Sequence, residues 1–176
     1  MSNQLKNIAP EELFNAVKMI GKEWMIICAA DPEKETGASG MTASWGCLGV
    51  LWGKPVCVCF IRPQRYTFGL AENEDRMSFN FFGNGEEYRE ALKYFGTKSG
   101  RDTDKTKDMG LTIDKKEIGG EAVPYFSESK TVLFGRKLYA DDLKKANFID
   151  KSLFSHYPND DFHRVYVCEI EEAIGE

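Results

Sequence analysis

The six residues Val56-Cys57-Val58-Cys59-Phe60-Ile61 are apolar without interruption, and Arg62-Pro63 follows them directly. A run this short, rich in β-branched residues and closed by proline, reads as a central strand covered on both faces. A chain holding such a strand must build a sheet around it and bury that sheet. The 176 residues, 42% hydrophobic and carrying twelve Phe, seven Tyr and three Trp, supply the cover for a single domain over 1–176. They exclude a mainly disordered chain.

The flanking segments fill in the plan. Residues 10–20 read as an amphipathic helix with Leu13, Phe14, Val17 and Ile20 on one face, stopped by Gly21. Trp24 to Ala30 reads as a buried strand, and 41–52 as one strand that bends or bulges at its glycines. A short helix is expected over 67–73 with Thr67 as N-cap, then an alternating strand from Met77 to Phe82. A second helix over 86–95 turns Tyr88, Ala91, Leu92 and Phe95 inward and closes at Gly96. A polar loop spans 97–110. Strands are expected near 112–118, 130–139 and 162–171, with irregular or short helical chain at 141–156. Strands without regular βαβ alternation favour an α+β barrel over a doubly wound sheet.

Charge and cysteine usage narrow the function classes. The net charge is −5, and Lys and Arg are interleaved with Asp and Glu, which is not the basic stripe of a nucleic-acid binder. An anionic ligand must therefore be held by a local cluster of donors. Met1 to Pro10 is polar, and no apolar run approaches the roughly 20 residues needed to cross a bilayer, so no membrane partner and a cytoplasmic location are expected. Cys28, Cys47, Cys57, Cys59 and Cys168 lie mostly in apolar runs and read as reduced core thiols. Cys57 and Cys59 share a strand face, but no nearby Cys or His completes a four-ligand set, and no metal is expected.

Three segments have compositions suited to a ligand. Ser39-Gly40-Met41-Thr42-Ala43-Ser44-Trp45-Gly46 combines close backbone approach, two hydroxyl arms and a flat indole, which suits a planar ring with polar edges. It equally suits a bulged edge strand with Trp45 in the core. Arg62-Pro63-Gln64-Arg65-Tyr66-Thr67 leads from the buried strand into a helix start, where backbone N–H groups, a hydroxyl and an arginine form a phosphate cradle, or simply a capped turn. Neither a Walker pattern nor a dinucleotide glycine fingerprint accompanies it. Lys98-Ser99-Gly100-Arg101-Asp102 belongs to a loop long for so compact a chain, either functional or solvated.

In order and spacing these segments, together with Phe60-Ile61, Tyr157-Pro158 and His163-Arg164-Val165-Tyr166-Val167-Cys168-Glu169-Ile170, resemble the flavin reductase-like, FMN-binding split-barrel family, nearest its flavoredoxin branch, over about residues 20–171. The resemblance implies a mainly β, α+β fold, a six-stranded antiparallel split barrel with peripheral helices, that forms a homodimer with one FMN per subunit. It implies that Met41, Thr42, Ala43, Ser44 and Trp45 line the flavin ring. Arg62, Arg65, Tyr66 and Thr67 would hold the phosphate, and Lys98, Ser99 and Arg101 would close over the cofactor, from the same subunit or its neighbour. His163 stands where reductases of the family place a histidine near the nicotinamide, and is otherwise a structural histidine at a strand start. Family members often carry glycine where this chain has Cys168, which bears on how the last strand packs.

The implied activity is hydride transfer from NADH or NADPH to flavin N5, with reduced flavin passed to a redox partner protein or a flavin-dependent oxygenase. A flavoredoxin-like electron carrier with little NAD(P)H turnover is the alternative within this chemistry. A non-catalytic barrel for a small ligand is the alternative outside it.

Overall fold

The computed structural model describes residues 6–7, 16–83 and 85–175. Its main sheet is entirely antiparallel. The strands are β1 (Lys6–Asn7), β2 (Met25–Ala30), β3 (Ala38–Ala43), β4 (Gly46–Leu51), β5 (Lys54–Ile61), β6 (Arg76–Phe81), β9 (Thr131–Asp142) and β10 (Arg164–Gly175), in the order β3-β2-β6-β9-β10-β5-β4, with β1 on β10. A separate hairpin pairs β7 (Ile113–Ile118) with β8 (Glu121–Phe126). The two ends of the order, β3 and β4, are consecutive in the chain yet not paired with each other among the described residues. The sheet therefore curls into a barrel that is open between them. It holds eight strands where six are expected, because the stretch read as one bent strand over 41–52 is two, broken at Ser44-Trp45, and because β1 adds to β10.

The core lies on the concave side, where Met25, Ile27, Cys57, Cys59, Ile61, Met77, Phe79, Leu133, Tyr166 and Cys168 are all fully buried. Each large apolar side chain removed from water here stabilises the fold by about 1.5–3 kcal/mol. Four of the five cysteines are core residues, as their apolar settings predict, while Cys47 is exposed on β4. Cys168, whose ladder partner on β9 is Lys137, packs against the bare Gly135 two positions along that strand. A Cβ on Gly135 would come within 2.6 Å of Phe79 Cε2 and 3.0 Å of Cys168 Cβ.

The strand expected to be covered on both faces is covered fully on one. Cys57, Cys59 and Ile61 are sealed, whereas Val58 and Phe60 are half-buried, because β5 stands next to the exposed edge strand β4 and its outer face opens to a cleft. The buried polar residues of β6 have a structural task. Ser78 Oγ donates to Pro124 O at 2.6 Å, and Asn80 Oδ1 accepts from Phe126 N at 2.9 Å, which docks β8 against the sheet. β8 was not expected from the sequence, since Pro124 argues against a strand. It is tolerated on a strand whose ladder partner is β7 alone.

The helices are peripheral. Leu13 and Phe14 of the expected first helix lie outside the described residues. The part that is described, α1 (Ala16–Lys18), continues past Gly21 as a π-helical turn, Met19–Glu23, that buries Ile20 and leaves Val17 86% exposed. A glycine costs a helix only about 1 kcal/mol, less than burying Ile20 returns. Helix α2 (Tyr66–Asn73) begins one residue earlier than expected, so Arg65 holds the N-cap position without a side-chain cap, and Thr67 sits buried in the first turn. Helix α3 (Arg89–Thr97), preceded by a 3-10 turn at Glu86–Tyr88, buries Ala91, Leu92 and Phe95 as its periodicity predicts, but runs through Gly96. The loop expected over 97–110 contains α4 (Lys105–Asp108), started by Asp104, whose carboxylate accepts from Lys107 N at 3.3 Å. No described helix is long and apolar enough to cross a membrane.

Candidate functional site

Strand register builds the site. In β10 and β5, Arg164 is opposite Ile61, so His163 and Arg62 leave the ladder side by side. In β4 and β5, Gly46 is opposite Cys59, which brings Trp45 alongside Phe60. The end of β5 thus gathers residues from three distant parts of the chain. With Met41, Thr42, Ala43 and Ser44 of the β3 end they line an open cleft of about 510 Å³, whose floor includes Arg65. A second cleft of about 370 Å³ runs on from Arg65 between the start of α2 and the loop after α3, lined by Tyr66, Thr67, Lys98 and Ser99.

The first cleft is mainly aromatic, with Arg65 at its floor and the Arg62 guanidinium paired with Asp161. Trp45 is 42% exposed rather than a core residue, and its ring centroid lies 5.1 Å from that of His163 and 5.4 Å from that of His156. His163 is buried, and its Nδ1 is 2.9 Å from the Tyr157 hydroxyl. Burial and then the Arg62 charge push its pKa down to about 4, so the ring is neutral at physiological pH. Thr42 Oγ1 donates to Leu92 O at 2.6 Å, anchoring this strand end to α3.

Arg62 faces the same cleft but is tied to the segment 145–163. Its Nη1 donates to Asp161 at 2.6 Å, its Nη2 to His156 O at 2.8 Å, and its guanidinium lies 5.2 Å from the Tyr157 ring centroid. That segment folds as two 3-10 turns, Lys145–Asn147 and Lys151–His156, around a private cluster of Phe148, Phe154, Tyr157 and Phe162. Arg62 therefore fixes the wall that carries Tyr157 and His163, and stands apart from the second cleft where the phosphate-type donors gather.

The second cleft is cationic. Arg65 donates to Gly96 O at 2.7 Å and Phe95 O at 2.9 Å, closing the C-terminus of α3. Lys105, 4% exposed, donates from Nζ to Phe95 O at 3.2 Å and Lys98 O at 3.3 Å. Burial, then the charges of Arg65 and Lys34, press its pKa down to about 7. The half-buried Tyr66 ring lines the cleft, with Lys34 Nζ 5.3 Å and the Arg101 guanidinium 5.7 Å from its centroid. Burial and the acidic neighbours Asp31 and Glu33 raise its hydroxyl pKa to about 12. Gly100 lies against this ring so closely that a Cβ would meet Tyr66 Cδ1 at 2.5 Å and Ser39 Oγ at 2.9 Å.

All thirteen residues singled out in the sequence thus fall in or beside two joined clefts. Met41, Thr42, Ala43, Ser44, Trp45, Arg62 and His163 line the first, Tyr66, Thr67, Lys98 and Ser99 the second, and Arg65 both. Arg101 lies outside the linings and donates to Gln64 O at 3.0 Å, bracing the loop. Sequence reading missed Phe60 as a wall residue, Gly100, and above all Lys105. The only local signal for Lys105 is the Asp104 cap, and one turn of helix is too short for periodicity to reveal a buried face.

No protein-family model and no curated protein matches the sequence. Solved structures do match the fold. The FMN-binding domain of a flavin reductases-like enzyme from Shewanella baltica OS155 aligns with a TM-score of 0.66 at 12% identity, over 99% of this chain and 78% of that one. The flavoredoxin of Desulfovibrio vulgaris (Miyazaki F) gives 0.63 at 17% identity, over 85% and 67%. The FMN-binding protein from Thermus thermophilus gives 0.62 at 20% identity, over 87% and 71%. The chain has the fold of these flavin reductase-like split barrels.

Proposed function

We propose that the protein binds FMN across the two clefts and acts as an NAD(P)H-dependent flavin reductase. The observation that carries this is the joining of a mainly aromatic cleft to a cationic one through Arg65, a shape and charge pattern that matches a flat ring linked to a phosphate. In this reading Thr42, Ala43, Ser44 and Trp45 flank the ring, while Arg65, Thr67, Lys98 and Ser99 take the phosphate, with the free amides of the α2 start adding donors. Bound there, FMN supplies a two-electron acceptor at N5. The chain's own part is to orient and to exclude water. Neutral His163, held by Tyr157, presents an uncharged surface beside Trp45 on which the neutral dihydronicotinamide can rest, and which does not repel the positive charge that ring gains as hydride leaves.

The second reading, a flavoredoxin-like carrier, draws support from the openness of the first cleft, through which electrons can pass to a redox partner protein. Reduced flavin handed on to a flavin-dependent oxygenase is the corresponding route for a reductase. A homodimer is proposed for either reading, because β4 and its turn expose Val50, Leu51 and Trp52, an apolar edge that a second copy can cover.

Absorbance of the FMN-loaded protein during anaerobic mixing with NADH, then NADPH, tests the proposal. Rapid bleaching of the visible absorption of the oxidised flavin is the expected result. Slow or absent bleaching selects the carrier, and a protein that ignores FMN overturns both.

A further inference from the structure

The cationic cleft contains a lysine that the fold alone does not explain. Lys105 is buried at the inner end of the cleft lined by Tyr66, Thr67, Lys98 and Ser99, next to Arg65 and facing Lys34. Among the described residues no salt bridge involves Lys105, Arg65, Lys98 or Lys34, although thirteen ion pairs occur elsewhere on the molecule. The nearest acid in the chain, Asp104, is directed away, accepting from Lys107 N and from Thr36 Oγ1 at 3.2 Å. Two backbone carbonyls take two of the three ammonium protons and leave one donor. Burying a cation among cations is costly unless an anion joins them. Burial first, and then the charges of Arg65 and Lys34, lower the pKa of Lys105.

We propose that Lys105 is the residue that selects a ligand ending in a phosphate monoester, whose dianion completes the Arg65–Lys105 cluster. This rests on the flavin reading above and deepens it. A monoester carries two charges on one terminal group and can reach the closed end of the cleft. A flavin without phosphate, or one whose phosphates are diesters with a further nucleotide attached, cannot supply that group there. Lys105 lines the cationic cleft and not the aromatic one, so its removal should leave ring binding intact.

The test compares the affinities of FMN and riboflavin, read from quenching of flavin fluorescence, in the wild-type chain, Lys105→Met and Lys105→Arg. Lys105→Met is expected to lose about 30-fold in FMN affinity, the scale of one charged hydrogen bond, with riboflavin changed less than about threefold. Lys105→Arg, which keeps the charge, should recover at least part of the FMN preference. Equal losses for the two flavins, or none for FMN, overturn the assignment. If the wild type binds neither flavin, the flavin reading falls, and inorganic phosphate then decides for the lysine. A melting-temperature rise in the wild type that Lys105→Met lacks supports the anion site, and no rise in the wild type overturns it. Circular dichroism confirms folding, and should Lys105→Met not fold, Lys105→Gln, which removes the charge and keeps a donor for the backbone carbonyls, provides the comparison with the same expected and overturning outcomes.

Discussion

The two clefts share Arg65 and differ in how they are made. The aromatic one is assembled by strand register, from the ends of β3, β5 and β10, with its central histidine kept neutral. The cationic one is assembled by a helix start and a loop, from side chains that close the end of α3. A sheet fixes positions to within the spacing of its ladder, which suits a flat surface for a ring. A loop with free donors adapts to a charged group. The difference teaches that affinity for a flavin should reside mostly in the loop half, and reactivity in the sheet half.

Substitutions can break this division. The largest effect is expected from Arg65→Met, which removes a cation from both clefts and frees two carbonyls of α3. FMN affinity should fall by roughly 100-fold or more, and stability by about 2–4 kcal/mol, as read by flavin titration and thermal melting. Thr67→Val removes one hydroxyl from the cationic cleft and should weaken FMN binding by about 1.5–3 kcal/mol without lowering the melting temperature comparably. If FMN affinity is unchanged, the phosphate lies elsewhere.

On the aromatic side, acid titration sharpens the contrast. His163 has an ordinary pKa of 6.5 when unfolded and about 4 when folded. On acidification the unfolded chain takes up the proton first, so stability is full above about pH 6.5 and declines as pH falls toward 4. The loss should be on the order of 2 kcal/mol, and His163→Gln should flatten that limb in chemical denaturation series. Gly100→Ala, by pressing a methyl on Tyr66, should cost about 1–3 kcal/mol of stability and loosen FMN. The smallest effect, about 1 kcal/mol, is expected for Tyr157→Phe, seen in the nicotinamide KM while FMN affinity holds.

Much of this was legible in the sequence because it depends on short-range chemistry. The strand at 56–61 and the inward face of α3 follow from local composition, and the segment 41–45, with its hydroxyls and flanking glycines, stands at a cleft. What escaped depends on distant contacts. Nothing local splits 41–52 into two strands, since the break arises from β3 pairing with β2 while β4 pairs with β5. The partnership of Arg62 with Asp161, 99 positions away, could not be read from a motif that resembles a phosphate cradle. Lys105 is buried by the packing of its loop against α3, and no pattern in four residues announces that.

The packing of Gly135 against Phe79 and Cys168 carries a consequence for how such chains can diverge. A side chain at 135 meets the buried Phe79 ring before it meets Cys168, so emptying position 168 alone makes no room for one. Descendants should keep glycine at 135 for as long as an aromatic ring stands at 79, whatever occupies 168. Across relatives the columns that change in step should therefore be 79 and 135, leaving a record in ancestry of a contact that neither residue reveals alone.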